Sequence, residues 1–545
     1  MRRRGRYPDA TAWAEALLTA NPSVPWLHRQ LALTVQGSDR DRANRHFRSA
    51  HELDPGDTRA ITELAESLNR SRGAAEVESL AEAYALARRR LDLGPLETAE
   101  IRPLLGVFLR VADFDAVDRL GAFETMGRRF AESGAETALQ LLLSQAKSPR
   151  DRRLLIDWHL ACGDRFLKSA ALRPLPASPA IVGRAKIRIG LMSSDLRDHP
   201  VGYFVKPLIE GYDRRRFEIY GYSWLAQRDD AVQRAFAARM DAFRHRPEVG
   251  AREAAALIAE DRLDVLFDLG GSTDQNKLAA LAWKPAPRIA SWLGYAHSAG
   301  LRTIDRLLVD PFLEPADSAL MVEAPLRLAR SWVAFVRPEL EPAFPITPST
   351  PQERQGSLTF GTMNNTMKFN RELVATWAAI LRASPGSRFL FVRPESAMAV
   401  FREQMAARFE AAGVGRERVL FAPVRGRHLP YYNLIDIALD TFPLTGGTTT
   451  CEALWMGVPT VSLVGEGFFE RLSYSNLSNA GLGDFAVFSR ADYVRAALAL
   501  AADPGRRAEL RRTMRERLKS HPLGDGDGFV RDFQNAVTDW REGRG

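Results

Sequence analysis

Apolar positions in the first 165 residues recur at helical spacing, with few prolines or glycines and no β-branched runs. This pattern predicts an all-helical region over residues 1–170. Prolines and glycines then cluster in residues 172–185, and they predict a linker.

Beyond the linker, short apolar runs alternate with helical patterns. The first series predicts strands at 187–192, 217–223, 263–269 and 288–293, with helices at 203–212 and 229–261 and one leading to Ala286. A second boundary is the irregular stretch 312–355, which contains Pro338, Pro342, Pro345, Pro348 and Pro351. The second series predicts strands at 358–361, 389–392, 419–421, 435–439 and 460–463, and helices at 397–412, 450–456, 490–502, 506–518 and 527–541. Alternating strands and helices indicate parallel α/β sheets, so we predict domains at 171–345 and 346–525 and a closing helix within 526–545.

The helical region contains one segment with a repeat-like spacing. Ala43, Phe47, Ala50, Leu53 and Pro55 follow the pattern of the second helix of a tetratricopeptide repeat. The helices predicted at 58–70 and 76–91 do not repeat it, so a short degenerate array and a generic helical bundle both remain open. An array would offer a concave surface to a protein partner.

The stretch from Asp440 to Pro459 follows the buried strand predicted at 435–439 and combines a loop of two glycines and three hydroxyl residues with the start of a helix. Glycines let the backbone approach an anion, and a helix N-terminus offers free N–H groups and a positive dipole end. Glu452 is placed to accept hydrogen bonds from a ribose. Taken alone, the stretch could also be an ordinary capped turn.

Four further polar loops also follow predicted strand ends: 193–202, 270–276, 294–300 and 361–370. Ligands of open α/β sheets bind beyond the carboxyl ends of the strands. Two such sheets facing a cleft describe the GT-B architecture of nucleotide-sugar glycosyltransferases. The predicted fold class is therefore α/β, with two Rossmann-like domains preceded by a helical region.

Composition narrows the function classes. The 545 residues contain no run of 18 apolar residues, so we expect no membrane span. Cys162 and Cys451 are the only cysteines, and the basic start, Met1 to Arg6, lacks an apolar signal core, which together favour a cytoplasmic protein. The net charge of +8 comes mainly from dispersed arginines, so nucleic-acid binding is not expected.

Several motifs in order carry a family resemblance over roughly residues 186–540. They are SSDLRDHP at 193–200, KPAPRIASWLGY at 284–295, MNNTMK at 363–368, HLPYYNLIDIALD at 428–440 and GTTTCEALWMGVP at 447–459. The chain resembles the O-linked N-acetylglucosamine transferase and SPINDLY family, glycosyltransferase family 41, in a bacterial, repeat-containing form. The resemblance implies inverting transfer of a sugar from a nucleotide sugar, best known as UDP-GlcNAc, to Ser or Thr of an acceptor protein. It implies no cofactor beyond that donor.

Residue roles follow from the same resemblance. Lys368 matches the lysine that contacts the donor diphosphate, and His199 matches a histidine proposed as the base. The remaining matches are to donor-binding positions: Gly294, Tyr295, Asn364, Asn365, His428, Gly447, Thr448, Thr449, Thr450 and Glu452. No metal is expected, because the sequence has no Asp-x-Asp motif at a strand end and no His/Cys cluster with metal spacing.

Two departures leave the donor open. Gly447 replaces a family histidine, as in the SPINDLY branch, which uses GDP-fucose, and residues 296–300 place His297 as an extra polar group near the sugar. Some bacterial relatives modify flagellin with nonulosonic acids, and Phe468 to Ser475 looks closer to that group. Two further hypotheses are an inactive GT-B scaffold, against which Lys368 and Glu452 argue, and an enzyme with a lipid or polysaccharide acceptor, against which the helical region argues.

Overall fold

The computed structural model describes residues 7–176, 183–226, 229–337 and 339–544. The basic segment 1–6 and two prolines assigned to the linkers, Pro179 and Pro338, lie outside these residues. Within the described residues, no helix is both long and apolar enough to cross a membrane.

The chain begins with a helical region, as the apolar spacing predicts. Helix α2 packs against α3, α3 against α4, and α4 against α5, so successive helices stack along an array. The tetratricopeptide interpretation stays a prediction. The helices are α1 (Tyr7–Ala20), α2 (Pro25–Val35), α3 (Arg40–Leu53), α4 (Thr58–Asn69), α5 (Glu76–Asp92), α6 (Thr98–Arg110), α7 (Phe114–Leu120), α8 (Phe123–Ser133), α9 (Glu136–Leu139) and α10 (Pro149–Ala171).

The first sheet is parallel and seven-stranded, in the order β3-β2-β1-β4-β5-β6-β7. The chain starts in the middle, winds outward to β3 and returns past β1 to β4, so its direction reverses between β1 and β4. The strands are β1 (Ile187–Ser193), β2 (Phe217–Ser223), β3 (Ala242–His245), β4 (Val265–Asp268), β5 (Ile289–Ser291), β6 (Arg306–Val309) and β7 (Ala324–Arg327), and the helices are α11 (Pro200–Gly211), α12 (Ala231–Arg239) and α13 (Ala251–Glu260).

The second sheet repeats this winding with six parallel strands, in the order β10-β9-β8-β11-β12-β13. Its direction reverses between β8 and β11. The strands are β8 (Thr359–Thr362), β9 (Arg388–Val392), β10 (Val419–Ala422), β11 (Ile437–Leu439), β12 (Thr460–Leu463) and β13 (Ala486–Val487). The helices are α14 (Leu340–Ala343), α15 (Pro351–Gln355), α16 (Arg371–Ala383), α17 (Ala399–Ala411), α18 (Thr448–Trp455), α19 (Leu472–Asn479), α20 (Arg490–Ala502), α21 (Pro504–Lys519) and α22 (Gly526–Arg541).

The closing helix α22 packs against α11 and returns to the first sheet. Phe533 lies against Phe267 and Trp292, with ring centroids 4.9 and 5.4 Å apart, and Phe529 stacks on Trp292. This packing confirms the prediction that the last helix crosses back over the sheet domains. We propose to keep the domain boundaries near residues 170, 345 and 525.

Three short strands correct the sequence prediction. Residues 229–261 are not one helical stretch, because the edge strand β3 separates α12 from α13. Strand β6 was missed, and β7 lies inside the stretch predicted to be irregular. Each of the three has only four residues, and β7 contains Pro325, so none carries the long apolar run that identifies a central strand.

Candidate active site

The two sheets and the helical region enclose a cavity of about 370 Å³. Its wall includes residues that follow β1, β4, β8 and β11, which are the four strands flanking the two reversal points. Reversal points leave a crevice at the carboxyl ends of the strands, where open α/β sheets bind ligands. The lining residues are Gln140, Leu143, His199, Pro200, Val201, Phe204, Thr273, Leu293, Gly294, Tyr295, Ala296, Trp332, Val333, Lys368, Leu444, Gly447, Thr448, Thr449, Leu472 and Asn476.

The loop after β11 is held by a buried carboxylate. Asp440 Oδ1 accepts from the Gly446 N–H at 2.9 Å and from Asn364 Nδ2 at 3.1 Å, while Oδ2 accepts from the Ser462 hydroxyl at 2.6 Å. Helix α18 then starts at Thr448, and no side chain caps its N-terminus. Its first N–H groups and the positive dipole end therefore remain available to an anion in the cavity.

Lys368 ends the short 3-10 turn after β8 and is the cation of the cavity wall. Its Nζ donates to the Thr445 carbonyl at 2.7 Å and to Asn364 Oδ1 at 3.4 Å. Burial lowers the pKa of Lys368 to about 8, although the nearby Asp440 carboxylate opposes the shift. The ammonium is thus desolvated and aimed at the loop that precedes α18.

His428 and Glu452 form a pair beside this loop. His428 Nε2 lies 2.9 Å from Glu452 Oε2, and its Nδ1 lies 2.6 Å from the Gly426 carbonyl. Burial lowers the pKa of His428, but the hydrogen bond and charge of Glu452 outweigh it, so the pKa is raised. The pair does not line the cavity itself, although Glu452 lies only one helical turn beyond Thr448.

His199 caps α11 on the opposite wall. Its Nδ1 accepts from the Val201 N–H at 3.3 Å and lies 3.8 Å from Asp195 Oδ1. Burial lowers the pKa of His199, so the ring is neutral near pH 7. Because Nδ1 accepts a hydrogen bond in this state, the ring proton is assigned to Nε2.

The helical region completes the wall near Tyr295. The Tyr295 hydroxyl donates to His159 Nε2 of α10 at 2.5 Å, and His159 Nδ1 donates to the Leu155 carbonyl at 2.6 Å. His297 is buried behind this contact, stacked on His159 with centroids 4.6 Å apart, and does not line the cavity. Burial lowers the pKa of His297 to about 4, so the ring is neutral.

The structure therefore gathers seven of the predicted site residues in one cavity wall: His199, Gly294, Tyr295, Lys368, Gly447, Thr448 and Thr449. Asn364 lies behind Lys368. Asn365 accepts from the Met367 N–H and caps the 3-10 turn, and the buried Thr450 hydroxyl pairs with that of Ser473 at 2.7 Å.

Sequence reasoning missed four contributors. Asp440 had a usable signal, since an acidic residue at the end of a buried strand precedes a glycine loop. His159, Gln140 and Asn476 had none. Gln140 and Asn476 line the cavity from outside the recognised motifs, and His159 lies behind the wall, where it accepts from the Tyr295 hydroxyl. The described residues hold no group of three or more His, Cys, Asp or Glu side chains arranged to hold a metal ion.

Two facing, doubly wound parallel sheets with an anion-ready helix N-terminus in the crevice define a GT-B glycosyltransferase fold. The sequence profile of glycosyl transferase family 41 matches residues 175–328 and 350–533. The chain belongs to this family.

Relatives agree with this assignment. The probable UDP-N-acetylglucosamine–peptide N-acetylglucosaminyltransferase SPINDLY of Hordeum vulgare is 33% identical over 390 residues, covering 70% of this chain and 41% of that protein. The probable enzyme SEC of Arabidopsis thaliana is 26% identical over 366 residues, covering 65% and 37%. The chain thus spans about two fifths of the curated relatives' length. A solved mutant of the Thermobaculum terrenum O-GlcNAc transferase matches with a TM-score of 0.83 and 30% identity, over 95% of this chain and 97% of that one.

Proposed function

We propose that this protein transfers a sugar from a nucleotide sugar to a Ser or Thr hydroxyl of an acceptor protein, with inversion and without a metal. One observation carries the proposal: both reversal points open into a single cavity, and that cavity holds Lys368 and the uncapped N-terminus of α18. UDP-GlcNAc is the proposed donor, in line with the names of the relatives.

In this proposal the second sheet domain binds the nucleotide. The Lys368 ammonium, the N–H groups of α18 and the hydroxyls of Thr448 and Thr449 contact the diphosphate, and Glu452 with His428 contacts the ribose. As the bond between the anomeric carbon and the diphosphate oxygen breaks, its electron pair leaves with the diphosphate. Fixed positive charge at that point stabilises the leaving group more in the transition state than in the ground state.

The acceptor oxygen forms the new bond to the anomeric carbon, and its proton must go to a base. Nδ1 of His199 is occupied by the Val201 N–H, so its Nε2 carries a proton and is a donor. We therefore favour a phosphate oxygen of the donor as the proton acceptor. His199 then orients the acceptor or the phosphate by donating from Nε2.

A protein acceptor is supported by the helical region. Gln140 and Leu143 of that region line the cavity, so a bound acceptor contacts the array and the sugar site together. A second cavity of about 370 Å³ lies along the array itself, with walls from α2, α3, α4 and α6. Flagellin and a lipid or polysaccharide precursor are the rival acceptors, and GDP-fucose or an activated nonulosonic acid are the rival donors.

Thermal unfolding with and without nucleotides tests the proposal. A ligand that binds only the native state stabilises it by about 3 kcal/mol at a hundredfold excess over Kd. We expect UDP, GDP or CMP to raise the Tm of the wild type, and Lys368→Ala to abolish this rise. Lys277→Ala is the matched control, because Lys277 is another partly buried lysine, whose Nζ donates to the Val249 carbonyl at 2.7 Å and does not line the cavity.

A transfer assay then uses the nucleotide sugar that corresponds to the nucleotide that raises the Tm. We expect release of the nucleotide that raised the Tm, UDP for the proposed donor UDP-GlcNAc, and a mass increase on a Ser/Thr peptide equal to the transferred sugar. If no nucleotide raises the Tm at millimolar concentration, the transferase proposal fails and the inactive scaffold takes its place.

A further inference from the structure

One side of the cavity has both open space and an unused hydrogen-bond acceptor. Gly447 has a φ of −115°, which any residue adopts, and a Cβ built there meets no atom within 4 Å. The absent side chain therefore leaves room at the start of α18 that no neighbouring protein group fills. Gly447 and Asn476 of α19 line the same cavity.

Asn476 is nearly fully buried, with 1% of its surface exposed. Its Nδ2 donates to the Gly447 carbonyl at 3.1 Å, which fixes the amide because the flipped orientation would face two oxygens toward each other. Its Oδ1 is then a buried acceptor with no hydrogen-bond partner among the described residues. By contrast, Asn479 on the next turn of the helix donates to Asp310 Oδ2 at 3.0 Å and to the Ser475 carbonyl at 3.0 Å.

Buried acceptors in native proteins nearly always have partners, because a desolvated, unpaired oxygen is costly. The two serine hydroxyls of the same helix are already engaged, since Ser473 pairs with Thr450 and Ser475 donates to Asp310. A molecule in the cavity is a source for the missing donor, because Asn476 is part of the cavity wall. A buried acceptor held in one orientation selects a group with a free O–H or N–H.

We propose that Asn476, beside the space left by Gly447, is a specificity-determining residue that accepts a hydrogen bond from a hydroxyl or amide N–H of the transferred sugar. This inference rests on the proposed function and deepens it. It assigns the selection of the sugar to α19 and the loop before α18, whereas Lys368 and the N-terminus of α18 bind the diphosphate whatever sugar is attached.

Calorimetric titration separates binding of the sugar from binding of the diphosphate. The four ligands are the diphosphates UDP and GDP and the corresponding nucleotide sugars UDP-GlcNAc and GDP-fucose. Asn476→Leu removes both amide atoms at similar volume, and Asn476→Ala is a second variant that cannot overpack. We expect both substitutions to raise the Kd of the nucleotide sugar about tenfold, while the Kd of the matching diphosphate stays at its wild-type value. Thr460→Val is the matched control, because the buried Thr460 hydroxyl is also unpartnered but lies outside this cavity.

Three results would overturn the inference. If the nucleotide sugar binds both variants within about twofold of wild type, Asn476 does not contact the sugar. If sugar and diphosphate weaken equally, Asn476 merely holds the Gly447 loop in place. If the wild type binds neither diphosphate nor nucleotide sugar, the proposed function itself fails, and this outcome is distinct because it appears before any substitution is made.

Discussion

The low pKa of Lys368 predicts that diphosphate binding weakens as pH rises through about 8. Only the charged ammonium attracts phosphate, and burial lowers its pKa from 10.5 to about 8 in the free protein. With that pKa, about nine tenths of the lysine is charged at pH 7 and about one tenth at pH 9. Binding of the anion favours the charged form, so the Kd for UDP or GDP should rise about tenfold between these pH values. An ordinary lysine would change it by only a few per cent.

Calorimetric titration from pH 7 to pH 9 measures this slope. Lys368→Arg is the matched variant, because its guanidinium stays charged over this whole pH range. Any effect of titrating the nucleotide itself would appear equally in the wild type and in this variant. We expect its profile to be flat, and we expect Lys368→Met to bind weakly at every pH. The nucleotide's phosphate loses its last proton at about pH 6, below the range of pH 7 to pH 9 used in the titration. An equal slope in wild type and Lys368→Arg would refute the assignment of the titration to Lys368.

Three further predictions concern the supporting structure. Glu452→Gln should lower the pKa of His428, which an NMR titration measures. It should also weaken the binding of UDP more than the binding of inorganic pyrophosphate, which has no ribose. Equal losses of affinity for the two ligands would contradict the ribose role. Gly163→Ala should lower the Tm, because the new Cβ would lie 2.1 Å from the Gly300 carbonyl oxygen, whereas Gly106→Ala, with its nearest contact at 3.5 Å, should not. Finally, after cleavage at a protease site inserted between Leu172 and Ala185, the two fragments should co-elute in size-exclusion chromatography and still bind the diphosphate; separation would contradict this.

Much of the fold could be predicted because its central strands have strong local signals. Strand β2 was predicted with its observed bounds, and the polar loops predicted after β1, β8 and β11 contribute residues to the cavity wall. The short strands β3, β6 and β7 were not found. Strands β3 and β7 are partly buried edge strands, and β6, beside β7, has only four residues, so none of them shows a clear period. The order of the strands in each sheet could not be predicted either, since strands that are neighbours in space, such as β1 and β4, are separated in the sequence by two other strands.

The site divides in the same way. Gly447 and Thr448 were identifiable because a glycine and threonine loop before a helix is a local sequence pattern, and Lys368 was identifiable through the family resemblance; their phosphate-binding role stays a proposal. The partner of Tyr295 was not, because His159 lies 136 residues earlier and looks like any buried histidine in a helix. His297 illustrates the reverse error, since a polar residue adjacent to the site in sequence is buried behind it in space.

Buried ion pairs join the helical region to the second sheet domain, and they affect how the role of the helical region can be tested. Arg110 of α6 contacts Glu76 and donates to Glu395 Oε1 at 2.6 Å, and all three side chains are buried. Removing one partner of a buried ion pair costs about 3–5 kcal/mol, because the other charge is left unpaired. Glu76 also pairs with Arg425, in the loop that leads to His428. A truncation of residues 1–165 would therefore remove one of the two arginines paired with Glu395, the other being Arg393, and would free that loop. Loss of activity in such a variant would then report a damaged donor site. Acceptor recognition by the array has to be tested with substitutions on its surface, in a chain that keeps α6 and α10.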